Sequence, residues 1–160
     1  MPRLYGNAER VEEIAASILP TYHSELATAR MQYIFVDKAG QKNGRPILGK
    51  AKRVSGAWEF LLEKDFIIEV AADCWNDASE PQRAALVDHL LESCTGVEDE
   101  ETGDMKWSMR TPDVQEFTSI LHRHGAWTEA LQGMVEVAQR LNVEARVQEV
   151  AEEVTQSTTP

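Results

Sequence analysis

The side chains best placed for chemistry lie in one stretch, residues 79–94, SEPQRAALVDHLLESC. His89 sits in mid-stretch, with Asp88 beside it and Glu92 and Ser93 one helical turn on. A zinc-protease helix reads H-E-x-x-H. Its two histidines share a helix face and hold the metal, and the glutamate after the first polarises the attacking water. Positions 89–93 here read His89, Leu90, Leu91, Glu92, Ser93. Leucine cannot accept a proton, and serine is a poor zinc ligand. Glu92 is one turn from His89 but off the position that would face a metal-bound water. Cys94, five residues on from His89, points roughly 100° away from Ser93. These residues predict no catalytic group, no bound metal and no cofactor.

The remaining candidates are weaker. His23 reads as a surface or capping histidine. His122 and His124 precede Gly125 and suit the negative end of a helix dipole better than a metal. Cys74 and Cys94 lack metal-ligand spacing and are expected to stay reduced. The strongest charge feature is the run Glu98, Asp99, Glu100, Glu101 and Asp104. It stands in a chain of net charge −11, with 27 acidic residues against 16 Lys plus Arg. Such a balance argues against a nucleic-acid binder, which needs a basic face to neutralise phosphate. It fits a solvated surface, or one that docks on a basic protein or imitates nucleic acid toward an enzyme that binds it.

Those residues need elements to hold them. Ser79 caps a helix and Gln82 answers it, with Pro81 in the first turn. Ala85, Leu86, Leu90 and Leu91 recur at helical spacing to 94, and Gly96 stops the helix. Upstream, Asn7 caps a first helix with Val11, Ile14, Ala15, Ile18 and Leu19 on one face, kinked or split at Pro20. Residues 31–36, 47–54 and 66–70 read as three strands, the second pairing back as a hairpin. FIIEV (66–70) is apolar enough for burial on both faces. Lys50, Lys52 and Arg53 suit an exposed edge strand. The stretch 55–65 is ambiguous.

Residues 97–109 form a hairpin or loop turning near Thr102-Gly103. Thr111 and Pro112 start a helix whose Val114, Phe117, Ile120 and Leu121 face the core. Thr128 caps a last helix, 129–154. Its Val143, Val147, Val150 and Val154 form a coiled-coil-like seam, covering the chain's own core or pairing a homodimer. The domain plan is 1–127, a helix over 128–154 and a disordered tail over 155–160. With 42% hydrophobic residues the chain can bury a core. No apolar run reaches membrane-spanning length, and MPRLYGNAER lacks a signal-peptide core, so a cytoplasmic place is expected.

Several stretches together resemble a known family over roughly residues 8–131: ARMQYIFV, the Gly-Arg turn and G-K-A of 44–51, DFIIEVAADCW, QRAALVDHLLESC, PDVQEF and HGAWTEAL. They are similar to the putative phage metallopeptidases, small zincin-like proteins of phages and prophages. The resemblance implies an α+β, zincin-like fold with a small sheet of about three strands against several helices. His89 matches the family's first zinc histidine. Leu90 stands at its catalytic glutamate, Ser93 at its second histidine and Pro112 at a frequent histidine. Asp113 and Glu116 match, and Glu116 would be the remnant of a downstream carboxylate ligand. His89 and Glu116 are therefore vestigial metal candidates.

The combined expectation is a catalytically inactive, metallopeptidase-like protein that binds a host protein in the host cytoplasm. A defence or nucleic-acid enzyme would be inhibited through the acidic surface, with neither nucleic acid nor membrane bound directly. Two alternatives stay open: a residual zinc metallopeptidase recruiting His23, His122 or His124, and a phage structural or assembly protein working through the valine seam.

Overall fold

The computed structural model describes residues 2–142. The chain divides into two compact units, Met1–Thr111 and Pro112–Pro160. The class is α+β, as the sequence indicates. The expected valine seam and tail, beyond 142, lie outside the described residues.

The first unit is built on a four-stranded mixed sheet whose strands lie in the order Tyr5–Asn7, Met31–Val36, Phe66–Ala71 and Gly49–Arg53. Strand β1 (Tyr5–Asn7) runs antiparallel to β2 (Met31–Val36). Two short strands, β3 (Gly40–Lys42) and β4 (Arg45–Ile47), make a separate hairpin. Its turn uses Asn43 and Gly44, both at positive φ. Strand β5 (Gly49–Arg53) lies at the sheet's edge, antiparallel to β6 (Phe66–Ala71). Strand β6 is parallel to β2, with Met31 opposite Phe66 and Val36 opposite Ala71. The expected three strands are present. The pairing differs: 47–54 does not fold back on 31–36 but joins β6, which the chain inserts between them. A parallel β2–β6 neighbour suits strands buried on both faces. Phe66, Ile68 and Val70 have no exposed surface. The fourth strand, β1, takes Asn7 into the sheet, so Asn7 does not cap the first helix. Ala8 occupies that cap without a side-chain bond.

Helix α1 (Glu9–Tyr22) buries Val11, Ile14 and Ala15 and carries Pro20 within its last turn. A short helix, α2 (Ala57–Leu62), projects between β5 and β6. Helix α3 (Ala72–Asp77) follows β6 directly. Helix α4 (Glu80–Glu92) opens on the expected capping box. Ser79 Oγ accepts the Gln82 N–H at 3.4 Å, and Gln82 Oε1 accepts the Ser79 N–H at 2.9 Å. Its inner face, Val87, Leu90 and Leu91, joins Val11, Leu26, Phe66 and Ile68 in one core. Each such side chain contributes on the order of 1.5–3 kcal/mol on burial.

Helix α4 ends two residues earlier than the pattern predicts. Ser93 is its C-cap, and Cys94 already begins β7 (Cys94–Glu98). Strand β7 pairs with β8 (Met105–Met109) as a hairpin, turning through Gly103 at φ +73. Gly96 is therefore not a helix stop. It lies opposite Trp107, and a Cβ there would fall 2.4 Å from the indole. The indole occupies that space and packs edge-on against Phe66, with ring centroids 5.8 Å apart.

In the second unit, residues 112–117 are not helical, contrary to the Thr111-Pro112 start signal. Helix α5 (Thr118–His124) begins after Phe117, and Phe117 is exposed rather than facing the core. Glu116 accounts for the delay: its Oε1 accepts the Phe117 N–H at 2.8 Å and its Oε2 accepts from Trp127 Nε1 at 3.0 Å. The expected stop at Gly125 holds, at φ +67. Thr128 caps the next helix through the Leu131 N–H at 3.3 Å, and that helix runs from 129 to the last described residue.

Candidate functional site

Helix α4 has three faces, and each treats its polar residues differently. On the core face, Leu90 is buried against Gly49 of β5. A Cβ at Gly49 would come 2.8 Å from Leu90 Cδ1. Gly49 thus lets α4 approach the edge strand, and Leu90 fills the gap. At the position where H-E-x-x-H places a general base, this chain has a side chain that closes the core.

A second face carries Asp88 and Glu92. Between them and α1 lies His23, which is 1% exposed and not a surface residue. Its Nε2 is 2.7 Å from Asp88 Oδ1, and its Nδ1 is 3.6 Å from Glu92 Oε2. His23 does cap, as one sequence alternative had it: its N–H donates to the Leu19 carbonyl at the end of α1. Glu92 is also bonded to Arg110 at 2.6 Å. Both carboxylates therefore tie α4 to the residues that follow α1 and β8, His23 and Arg110. No local pattern signals this burial, because the histidine's partner is 65 residues away.

The third face holds His89 and Ser93. Ser93 Oγ donates to the His89 carbonyl at 3.3 Å, a bond that suits a helix end. His89 is exposed, and it lines an open, mostly apolar groove of about 580 Å³ with Leu48, Cys74, Ala78, Ala85 and Leu86. The walls from α3 and from Leu48 had no signal in the sequence, since no spacing rule links them to α4. Burial pushes the Cys74 thiol up, with Asp73 adding to it. Cys94 is not on the helix at all. It lies buried in β7, where burial pushes its thiol up to about 12. Both cysteines are free. Among the described residues, no three His, Cys, Asp or Glu side chains gather as a metal-ligand set. Glu116, the downstream candidate, belongs to the second unit and is occupied there by Phe117 and Trp127.

The acidic stretch occupies the tip of the β7–β8 hairpin. Glu98, Glu100, Glu101 and Asp104 are exposed. Asp99 is different: its Oδ1 accepts the N–H groups of Glu101 and Thr102 at 2.9 and 3.3 Å, and its Oδ2 pairs with Lys106. The Lys106 ammonium and those two N–H groups hold its carboxyl below the usual carboxylate range. Asp99 builds the turn, and the other four carboxylates face solvent around it. On β5, Lys52 pairs with the buried Glu69 at 3.1 Å, and Arg53 donates to the Trp107 carbonyl. The basic residues of β5 thus tie an edge strand to its neighbours, in keeping with an edge role.

A family model described as putative phage metallopeptidase matches residues 4–139. No curated protein and no solved structure matches the chain. No helix among the described residues is long and apolar enough to cross a membrane.

Proposed function

The chain belongs to the putative phage metallopeptidase family, and from that premise we propose a member without peptidase chemistry that acts by binding a host protein. The observation that carries this reading is Leu90, buried against Gly49 where the zinc-protease motif places its base. A residue committed to the core cannot polarise water. Ser93, bonded back to the helix, does not replace the second histidine. The scaffold is read as zincin-like, because α4 packs beside the edge strand of a mixed sheet and presents His89 to an open groove.

Binding is assigned to the hairpin tip. Glu98, Glu100, Glu101 and Asp104 contact the partner, while Asp99 holds their loop in shape. A basic surface fits this charge, such as that of a host defence or nucleic-acid enzyme in the host cytoplasm. Exposed charges are screened beyond about 8–10 Å at physiological ionic strength, so association steered by them weakens steeply with salt. The test is capture of partner from host lysate by wild type and by Glu98→Lys/Glu100→Lys/Glu101→Lys across a salt series. Capture that is lost on charge reversal and at high salt supports the reading. Equal capture by both proteins at low salt removes the hairpin from the binding surface. Peptide hydrolysis by the purified chain, abolished in His89→Ala, would return it to the active peptidases.

A further inference from the structure

Two helical stretches meet at the groove beside α4. Cys74, Asp77 and Ala78 stand three and four residues apart along α3 and its cap, so they share one side. Ala85, Leu86 and His89 repeat that spacing on α4, and Leu48 completes the wall. Gln82 also lines the groove, but its Oε1 is committed to the Ser79 N–H of the capping box. The space is open and measures about 580 Å³, within the roughly 300–1,000 Å³ of small-molecule sites. Its walls are mostly apolar, so an apolar occupant gains by displacing water from them.

The charge of the groove is one-sided. Asp77 is the one carboxylate among the lining residues, and neither lysine nor arginine lines it. Among the described residues Asp77 has no hydrogen-bond or ion-pair partner. The acids on either side of it are occupied. Asp73 accepts the N–H groups of Ala39 and Cys74 at 3.0 and 2.8 Å, and Glu80 pairs with Arg10 and Arg83. The groove wall registers the negative field: burial pushes the Cys74 thiol up, and the charges of Asp73 and Asp77 push it further. The chain as a whole carries −11, which raises the local concentration of cations.

These features select a class of ligand. An anion would meet Asp77 with no lysine or arginine in the wall to answer it. A neutral apolar molecule would gain from the walls alone and leave the carboxylate unused. A cation on an apolar body uses both. We infer that the groove is a binding site for a small organic amine, whose apolar body lies against Ala78, Ala85 and Leu86 while its ammonium group pairs with Asp77. A space of this size holds one compact molecule rather than a length of chain. Because the groove is open and Asp77 is exposed, the expected dissociation constant for an amine of about ten heavy atoms is about 0.1–1 mM. This site needs neither a bound metal nor the hairpin tip, so its test is separate from that of the host-protein reading.

The probes are 4-phenylbutylamine, 4-phenylbutan-1-ol and 4-phenylbutyrate, which share a body and differ in charge. Each is titrated into the full chain labelled with nitrogen-15, and amide shifts give both the affinity and the place. The amine should shift amides of residues 74–78 and 82–89. It should bind roughly 3- to 10-fold more tightly than the alcohol, with the carboxylate weakest. Asp77→Asn, at an exposed position, should bring the amine down to the level of the alcohol and leave the alcohol unchanged. Ala85→Arg, which fills the groove from an exposed helix position, should remove binding of amine and alcohol alike, with far-UV circular dichroism unchanged. Any of four results would overturn the inference: no shifts with the amine up to about 5 mM, shifts that map outside the groove, equal affinity for amine and alcohol, or an amine affinity untouched by Asp77→Asn. Tighter binding of acetyl-Phe-Lys-amide than of the amine would also overturn it, and would make the groove a peptide site.

Discussion

The turn of α4 at residues 89–93 and the hairpin tip at residues 98–104 lie a few residues apart and use their side chains in opposite ways. In α4, Leu90 is locked into the core against Gly49, Glu92 is bonded to Arg110, and Ser93 is bonded to its own helix. At the hairpin tip only Asp99 has a structural task, and four other carboxylates stand in solvent. In α4 these side chains are committed to packing and to local bonds. At the hairpin tip no packing is at stake, and the charges stay in solvent. Substitutions should therefore damage stability at α4 and leave it almost untouched at the hairpin tip.

The largest effect is expected at Leu90→Glu, which restores the motif's base by sequence alone. It removes a buried leucine and places a carboxylate in the core beside Gly49. The two losses together should reduce unfolding free energy by about 3–5 kcal/mol, read by denaturant titration. A stable variant would mean that the helix can turn Leu90 outward, and the contrast between the two regions would collapse.

Gly96→Ala tests the hairpin's base rather than its tip. The added methyl meets the Trp107 ring, so overpacking should lower stability by about 1–3 kcal/mol, visible as a lower Tm. An unchanged Tm would show that the indole can move aside.

Asp65→Asn calibrates a carboxylate that is held rather than free. Burial acts to raise its pKa, but the bonds from the Arg30 guanidinium at 2.9 Å and the Arg30 N–H at 2.7 Å outweigh that and lower it. A folded pKa below the unfolded one gives stability above the unfolded value, near about 3.9, that is lost as pH falls through the folded value. The variant should be less stable than wild type by about 1 kcal/mol at neutral pH, with the gap closing below about pH 4. A gap independent of pH would assign the loss to packing instead.

The smallest effect belongs to Glu98→Lys/Glu100→Lys/Glu101→Lys. These groups are exposed and make no core contact, so Tm should shift by less than about 0.5 kcal/mol in equivalent stability while partner capture falls. Loss of fold in this variant would place the tip among the structural elements.

Local rules read much of this arrangement from sequence. The Ser79–Gln82 capping box, the strands at 31–36 and 66–70, the turn at Gly103 and the stop at Gly125 each depend on neighbours within a few residues. The failures share the opposite property. The β2–β6 pairing, the burial of His23 by Asp88 and the early end of α4 depend on residues far apart in the chain. Gly96 shows the ambiguity well: a glycine after a helical pattern reads as a stop, but here a distant tryptophan requires it. The exposed α2 and the groove walls carried no periodic signal, because neither belongs to a continuous apolar face. At the site, the departure of Leu90 and Ser93 from H-E-x-x-H is a matter of sequence alone. That Leu90 had become part of the core was not.

The most direct test of the central claim is the metal content of the purified full chain. After dialysis against metal-free buffer and a stoichiometric zinc addition, elemental analysis should find far less than one zinc per chain, and His89→Ala should change nothing. About one zinc per chain, lost in His89→Ala, would contradict the account and make α4 a working metal helix.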